Sequence, residues 1–289
     1  MGLCVFDLDH TLVRTPLDLA AMAVEMRALL EEARGPLPPR PERWRVGELV
    51  LWSKAEAPEL EQALWQVALG HERRAMDAAS LEPGALEAVT GARDAGFRTA
   101  LWTNNARELT VPALERLGLA ALLDLVVTRD DMRALKPDPD GWRVISEHFT
   151  ARLGGGTASA RTAPDHFTAP TDGADGRARQ GSKGPVPVTR RRLSRARMEP
   201  SRAGAADACR VVPRPLPHAP VGPVDRDAVV VGDSWVDGVA AAAVGVPFVA
   251  YRAREEELQR WGVEPVARLD DLAALPAWLV ARLDGHATR

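Results

Sequence analysis

Short apolar runs alternate with helical stretches along this sequence, and that alternation restricts the folds open to the chain. The strand-like runs cover residues 3–8, 97–103, 124–128, 228–233 and 247–251. Helical patterns separate several of them. Continuous apolar strands joined by helices are typical of a parallel sheet that is covered on both faces. We therefore predict an α/β protein with a Rossmann-like parallel sheet as its core.

Two of the intervening helices carry end signals. In the helix predicted over 84–95, Gly96 is well placed to end the segment. In the helix predicted over 111–118, we expect Thr110 as the N-cap, Pro112 in the first turn and Gly118 as the stop. A third helix is predicted over 139–149.

A long helical region, roughly 17–78, interrupts the alternation after the first strand and is broken near 35–42. It contains three tryptophans, Trp44, Trp52 and Trp65, among many Leu and Ala residues. We interpret it as a separate helical lobe whose tryptophans belong to its own core.

The stretch 151–226 differs in composition from the rest of the chain. It carries 13 Arg and 1 Lys against 6 acidic residues, while Leu, Ile, Val and Phe account for 10 of its 76 residues. So few apolar side chains cannot bury enough surface to offset the entropy of ordering the chain. We predict a disordered basic insertion here.

The overall composition excludes several other classes of protein. Of the 289 residues 46% are hydrophobic, which supports a sizeable core, and a net charge of −3 does not indicate a nucleic-acid binder. Cys4 and Cys209 are far apart, which argues against a disulfide framework or a zinc site and favours a reducing compartment. We see no signal peptide and no apolar stretch long enough to span a membrane. We expect a cytoplasmic protein without a membrane partner.

Polar residues follow the predicted strands at the places where they end. They are Asp7, Asp9 and Thr11 after the first strand, Thr103, Asn104 and Asn105 after the second, Lys136 after the third, and Asp233 and Asp237 after the fourth. The carboxyl ends of parallel strands lie at one edge of a sheet, so these side chains should converge. Four carboxylates at such density repel one another, and hard oxygen ligands of this kind suit Mg²⁺.

These motifs resemble those of the haloacid dehalogenase superfamily of phosphohydrolases. The sequence contains "DLDHT" from Asp7, "TN" at Thr103, "KPDP" from Lys136 and "GDSWVD" ending at Asp237, in the order typical of the superfamily. The resemblance covers about 1–150 and 227–275. It implies that 15–79 is a helical cap and that the α/β core comprises 1–14, 80–150 and 227–289.

The resemblance also implies a role for each motif. Asp7 would be the nucleophile that forms an aspartyl-phosphate, and Asp9 would be the general acid and base. Thr103, Asn104 and Lys136 would bind the phosphoryl oxygens. Mg²⁺ would be held by the Asp7 carboxylate, the Asp9 backbone carbonyl and Asp233, with support from Asp237.

The acid at position 9 favours phosphatase over dehalogenase activity, because a halide leaves without a proton and an alkoxide does not. The resemblance therefore implies Mg²⁺-dependent hydrolysis of a small phosphorylated metabolite similar to phosphoglycolate. One alternative is a phosphomutase or phosphotransferase acting on a sugar phosphate, since the same motifs serve there.

The other alternative is a non-catalytic protein that binds nucleic acid through the arginine-rich insertion. Phe167 is the only aromatic residue there for base stacking, so we do not expect a nucleic-acid partner. The individual motif residues also have structural readings, as helix caps or solvated loop residues. The sequence does not indicate the oligomeric state.

Overall fold

The computed structural model describes residues 2–153 and 227–287. The predicted insertion, 151–226, lies outside these residues except for its first three, which end a helix instead of beginning a loop. That helix had been predicted to end at 149.

Among the described residues, one parallel sheet contains six strands: β1 (Leu3–Phe6), β4 (Arg98–Trp102), β5 (Leu125–Val127), β6 (Ala228–Gly232), β7 (Phe248–Tyr251) and β8 (Ala267–Leu269). Across the sheet they lie in the order β5-β4-β1-β6-β7-β8. The predicted α/β parallel sheet is confirmed. The sequence did not predict β8, which has three residues and a charged one in the middle.

Two further strands, β2 (Val13–Arg14) and β3 (Ser80–Leu81), form a short antiparallel ribbon. The helices are α1 (Leu19–Arg34), α2 (Val46–Glu56), α3 (Glu61–Asp77), α4 (Ala85–Asp94), α5 (Arg107–Arg116), α6 (Asp140–Leu153), α7 (Trp235–Ala243), α8 (Glu255–Arg260) and α9 (Leu275–Ala287). The interval between α1 and α2 confirms the predicted break near 35–42.

The central strand β1 is buried on both faces of the sheet, which explains its uninterrupted apolar sequence. Cys4 and Phe6 belong to one hydrophobic cluster, and Leu3 and Val5 belong to another on the opposite face. Successive side chains of a strand point to opposite faces, so each face needs its own layer of helices. Burying both faces places β1, and the acids that follow it, at the centre of the molecule.

Helices α1 to α3 lie between β2 and β3 in the chain and share a third hydrophobic cluster, which includes Met22, Met26 and Leu49. The three tryptophans predicted for its core, at positions 44, 52 and 65, are only partly buried and pack around it. Tryptophan is large and carries a polar N–H, so it is rarely buried completely. The boundaries predicted for the cap, 15–79, stay a prediction.

Two helix C-termini agree with the sequence signals, and one helix N-terminus does not. Gly96 and Gly118 have positive φ angles of 85° and 76°, which confirms them as stops. Helix α5, however, begins at Arg107, so the prediction of Thr110 as its cap was wrong, and Pro112 lies inside the helix. The reason is tertiary: the Asp130 carboxylate accepts a hydrogen bond from the Arg107 N–H at 2.6 Å and stabilises an earlier start.

The β2–β3 ribbon is joined to the end of β7 by a buried carboxylate. Glu82 accepts hydrogen bonds from the Arg14 guanidinium at 3.1 Å, the Tyr251 hydroxyl at 2.9 Å and the Arg252 guanidinium at 2.7 Å. Burial opposes the charge on Glu82, but these donors outweigh it and lower the pKa of the carboxyl group. Both connections to the helical region are therefore anchored to the sheet by one charged group.

None of the helices within the described ranges has the length and apolar character needed to cross a membrane.

Candidate active site

The carboxyl ends of β1, β4 and β6 lie side by side because β1 pairs with both of the other strands. Asp7, Thr103 and Asp233 each follow directly on one of these strands. The Asp7 N–H donates to the Val231 carbonyl at 2.9 Å, and the Thr103 N–H donates to the Val127 carbonyl at 3.0 Å. The sheet ladder therefore holds the backbone that carries these side chains.

Lys136 connects three of these chain segments. Its Nζ donates to Asp7 Oδ1 at 2.6 Å, to Asp237 Oδ1 at 2.6 Å and to the Trp102 carbonyl at 2.8 Å. The side chain is only 4% exposed. Burial opposes its charge, but the Asp237 and Asp7 carboxylates outweigh burial and raise the pKa of Lys136, which keeps the ammonium group charged.

Three carboxylates form a cluster beside this lysine. Oxygens of Asp7, Asp233 and Asp237 all lie within 4.8 Å of one another. Burial, with the neighbouring acids, raises the pKa of Asp7 to about 7 although Lys136 acts in the opposite direction. Burial raises the pKa of Asp233 well above its ordinary value, and the carboxylates around it act in the same direction. One lysine therefore does not neutralise the three carboxylates. The carboxylate oxygens of the cluster are ligands that fit a hard divalent cation such as Mg²⁺.

The backbone beside the cluster is shaped to admit a carboxylate. A Cβ atom at Gly232 would lie 2.6 Å from both Cγ and Oδ2 of Asp237, which is too close for real atoms. Ser234, at the N-cap of α7, donates its hydroxyl to Asp237 Oδ2 at 2.6 Å. Glycine at position 232 thus lets Asp237 turn toward Lys136 and the other two carboxylates.

The Asp9 carboxylate lies outside this group of three and has partners of its own. Its Oδ1 accepts from the Thr15 hydroxyl at 2.7 Å and its Oδ2 accepts from the Asn105 amide at 2.6 Å. Burial raises the pKa of Asp9, while these two hydrogen bonds act in the opposite direction. The prediction assigns only the Asp9 backbone carbonyl to the metal. The carboxylate is therefore free of the metal, which is compatible with its predicted role as general acid and base.

Two consecutive asparagines after β4 have different partners. Asn104 donates its amide to the Lys136 carbonyl at 3.0 Å and accepts from the Lys136 N–H at 2.9 Å. The next residue, Asn105, contacts Asp9. The Thr103 side chain is buried, and its Oγ1 accepts from the Asn105 N–H at 3.2 Å. The predicted phosphoryl-binding roles of Thr103 and Asn104 stay predictions.

Sequence reasoning therefore named every acid of the cluster and its lysine, but gave no role to the residues that hold them. Thr15, Asn105 and Ser234 each donate to a carboxylate of the site. Asn105 directly follows the "TN" motif, and that position indicates a place near the site. The sequence does not show, however, which of the two adjacent asparagines contacts Asp9.

The model of the haloacid dehalogenase-like hydrolase family matches residues 1–155 of this chain, slightly more than half of it. The chain belongs to the haloacid dehalogenase-like hydrolase family. Residues 7, 9, 103 and 136 lie in the matched part, whereas Asp233 and Asp237 lie beyond it.

Relatives within the family carry a more specific name. A phosphoglycolate phosphatase of Nitrosospira multiformis is 30% identical over 146 residues, 47% of this chain and 63% of that protein. Another, of Cereibacter sphaeroides, is 31% identical over 173 residues, 55% of this chain and 78% of that protein. The chain thus spans less than two thirds of the first relative and more than three quarters of the second. Both support the prediction of a phosphatase enzyme.

The fold is also found among solved structures. A hydrolase from Pseudomonas syringae is similar with a TM-score of 0.53 at 17% identity, over 99% of both chains. At this identity the likeness concerns the fold alone.

Proposed function

We propose that this member of the haloacid dehalogenase-like hydrolase family is a Mg²⁺-dependent phosphatase that hydrolyses a small phosphate monoester through an aspartyl-phosphate. The observation that carries the proposal is the convergence of Asp7, Asp233, Asp237 and Lys136, remote in sequence, at one edge of the sheet. Both named relatives are phosphoglycolate phosphatases, so the proposed substrate class is a small phosphorylated metabolite of that kind.

The first half of the reaction is assigned to Asp7 and Asp9. A carboxylate oxygen of Asp7 forms a bond to phosphorus while the bond from phosphorus to the ester oxygen breaks. Protonated Asp9 gives its proton to that oxygen, which leaves as an alcohol. Burial raises the pKa of Asp9, which is the direction that general acid catalysis needs, while the hydrogen bonds from Thr15 and Asn105 act against it.

The second half returns the protein to its starting state. Asp9, now a carboxylate, takes a proton from water as the water oxygen forms a bond to phosphorus. The bond from phosphorus to Asp7 breaks, which releases inorganic phosphate. Lys136, Thr103 and Asn104 are assigned to bind phosphoryl oxygens during both halves.

The metal is assigned to the carboxylates of Asp7 and Asp233 and the backbone carbonyl of Asp9, with support from Asp237. When bound, Mg²⁺ would supply positive charge that stabilises the phosphoryl oxygens. Lys136 holds Asp7 and Asp237 in place by its two hydrogen bonds. We also propose a cytoplasmic location, on the ground of two widely separated cysteines.

Release of inorganic phosphate from a panel of phosphorylated metabolites, with and without Mg²⁺, tests the proposal. We expect Asp7→Asn to lose nearly all turnover, because the substitution removes the nucleophile. Its circular dichroism spectrum should stay unchanged, because an amide of the same size and shape replaces the carboxylate. Asp94→Asn, at an exposed position of α4, is the matched control and should keep full activity. An active Asp7→Asn protein would contradict the assignment. An isomeric sugar phosphate in place of free phosphate would favour a phosphomutase instead.

A further inference from the structure

Asn105 is the protein side chain that approaches Asp9 from the end of β4. Its Nδ2 donates to Asp9 Oδ2 at 2.6 Å, and Thr15 holds the other oxygen at 2.7 Å. An amide N–H can only donate, so this contact sets the orientation of the carboxylate whichever way the Thr15 hydroxyl rotates.

The turn that carries Asn105 is held at three points of its backbone. The Arg129 N–H donates to the Asn105 carbonyl at 3.0 Å, and the Asn105 N–H donates to Thr103 Oγ1 at 3.2 Å. The next N–H, of Ala106, donates to Glu72 Oε2 at 3.4 Å. Glu72 belongs to α3, so a helix of the predicted cap contacts the turn that positions Asp9.

Glu72 and Arg129 also form a two-point ion pair of their own. The guanidinium donates to both carboxylate oxygens, at 2.6 and 3.1 Å, and the two side chains are 5% and 12% exposed. The Trp65 ring covers the guanidinium with its centroid 4.7 Å away. A planar Arg–carboxylate pair in a buried place has a well-defined geometry, so it can transmit the position of α3 to the turn.

We propose that Asn105 is a positioning residue that orients Asp9 toward the ester oxygen of the substrate, and that Glu72 and Arg129 brace its turn from helix α3. The inference rests on the proposed phosphatase function. Asn105 acts through Asp9 and transfers no proton itself. A carboxyl group that has lost this contact rotates, and the proton is then poorly aligned with the leaving oxygen.

The chemistry of the leaving group separates this role from a purely structural one. An alkoxide needs a proton to leave, whereas p-nitrophenolate is stable enough to leave without one. The ratio kcat/KM reports on the steps up to release of the leaving group, whereas the later attack of water, in which Asp9 acts as the base, is the same for both substrates. Since general acid catalysis contributes about 10²- to 10⁴-fold, we expect Asn105→Ala to lower kcat/KM for phosphoglycolate roughly tenfold or more. For p-nitrophenyl phosphate we expect kcat/KM to fall by less than about threefold.

Asn105→Leu repeats the test with a side chain of similar size that cannot donate. If both variants lower kcat/KM for the two substrates by the same factor, the residue is merely structural and the proposal is overturned. The ratio of the two kcat/KM values is insensitive to the fraction of folded enzyme, because both substrates are assayed on the same preparation. Partial unfolding therefore cannot imitate the expected result.

The brace is tested at Glu72, with its neighbour on α3 as a matched control. Arg73 also pairs with a residue beyond the turn, Glu108, at 2.9 Å, but both side chains are more than half exposed (57% and 58%). We expect Glu72→Gln to shift the ratio of the two kcat/KM values in the same direction as Asn105→Ala, by a smaller factor, and Arg73→Gln to leave it unchanged. Equal ratios in the two variants would overturn the brace.

The wild-type protein keeps the two proposals distinguishable. If it releases phosphate from neither substrate, the proposed function fails and the inference fails with it. If it is active and the Asn105 variants keep the wild-type ratio, only the positioning role is overturned.

Discussion

Replacing Lys136 with methionine tests whether the lysine offsets the charge of the buried carboxylates. Methionine has a similar length and fills most of the same space, so the change removes charge and hydrogen bonds more than volume. The lysine makes contacts of 2.6 Å to Asp7 and Asp237, whose side chains are 12% and 2% exposed. Removing one partner of a buried ion pair costs about 3–5 kcal/mol because the remaining charge has neither water nor a counter-ion. We expect a loss of that order in the free energy of unfolding.

The loss should depend on pH in a defined direction. Burial already raises the pKa of Asp7 to about 7 from an ordinary value of 3.8, in spite of Lys136. A carboxyl group with a raised pKa binds more protons in the folded state, so stability increases as pH falls through that pKa. Without the lysine the carboxyl groups would take up protons more readily. The deficit of Lys136→Met should therefore be larger at about pH 8 than at about pH 5.

Urea unfolding monitored by tryptophan fluorescence, in the absence of divalent ions, measures this deficit by linear extrapolation. The control is Lys54→Met, because Lys54 pairs with Glu61 at 3.4 Å on the surface, with side chains 43% and 32% exposed. An exposed pair of this kind contributes at most about 1 kcal/mol. If Lys136→Met is no less stable than Lys54→Met at about pH 8, the reasoning about buried charge is refuted.

Two further substitutions address Glu82, which joins the β2–β3 ribbon to the end of β7, and Gly232, which lies beside the carboxylate cluster. Glu82→Gln should cost about 1–3 kcal/mol at neutral pH, since charged hydrogen bonds are lost. Because the pKa of Glu82 is lowered, its contribution is full above the ordinary value of 4.5 and is lost in acid, so urea titrations of the variant and wild type should converge there. Gly232→Ala should cost about 1–3 kcal/mol by crowding Asp237, and calorimetry should show weaker Mg²⁺ binding.

Glu82→Gln and Gly232→Ala each have a matched control substitution elsewhere in the chain. Glu87→Gln alters an exposed glutamate on α4 and should leave the pH dependence as it is in the wild type. At Gly47 in α2 an added Cβ would meet no atom within 4 Å, so Gly47→Ala should be neutral or slightly stabilising. If Gly232→Ala behaves like Gly47→Ala, the close approach of Asp237 does not matter. A constant deficit for Glu82→Gln from neutral to acid pH would argue against its charge as the cause.

The membership of the cluster could be predicted from the sequence because one rule of parallel sheets applies. Every strand of such a sheet points its carboxyl end to the same edge, so residues that follow β1 and β6 meet there whatever their separation in the chain. Asp7 and Asp233 meet this expectation. Periodicity and glycine positions also located the longer strands and two helix ends, since these depend on local backbone preferences.

Other features depend on contacts between segments that are remote in the chain. The start of α5 is determined by Asp130, which lies beyond the next strand. The strand β8 pairs with β7 along three residues, and its own sequence carries little strand signal. Such contacts have no local signature, so the sequence predicted the wrong cap in one case and no strand in the other.

By itself the sequence determined a parallel α/β sheet with an acid-rich edge. Continuous apolar strands indicate burial on both faces, and polar residues after each strand indicate the edge at which the strands end. Only the tertiary structure decided that Asn105 faces Asp9 while Asn104 holds the backbone of Lys136. Both amides have the same chemistry and adjacent positions. The difference arises from the turn after β4, whose backbone is held by Thr103 within the turn and by the remote residues Arg129 and Glu72.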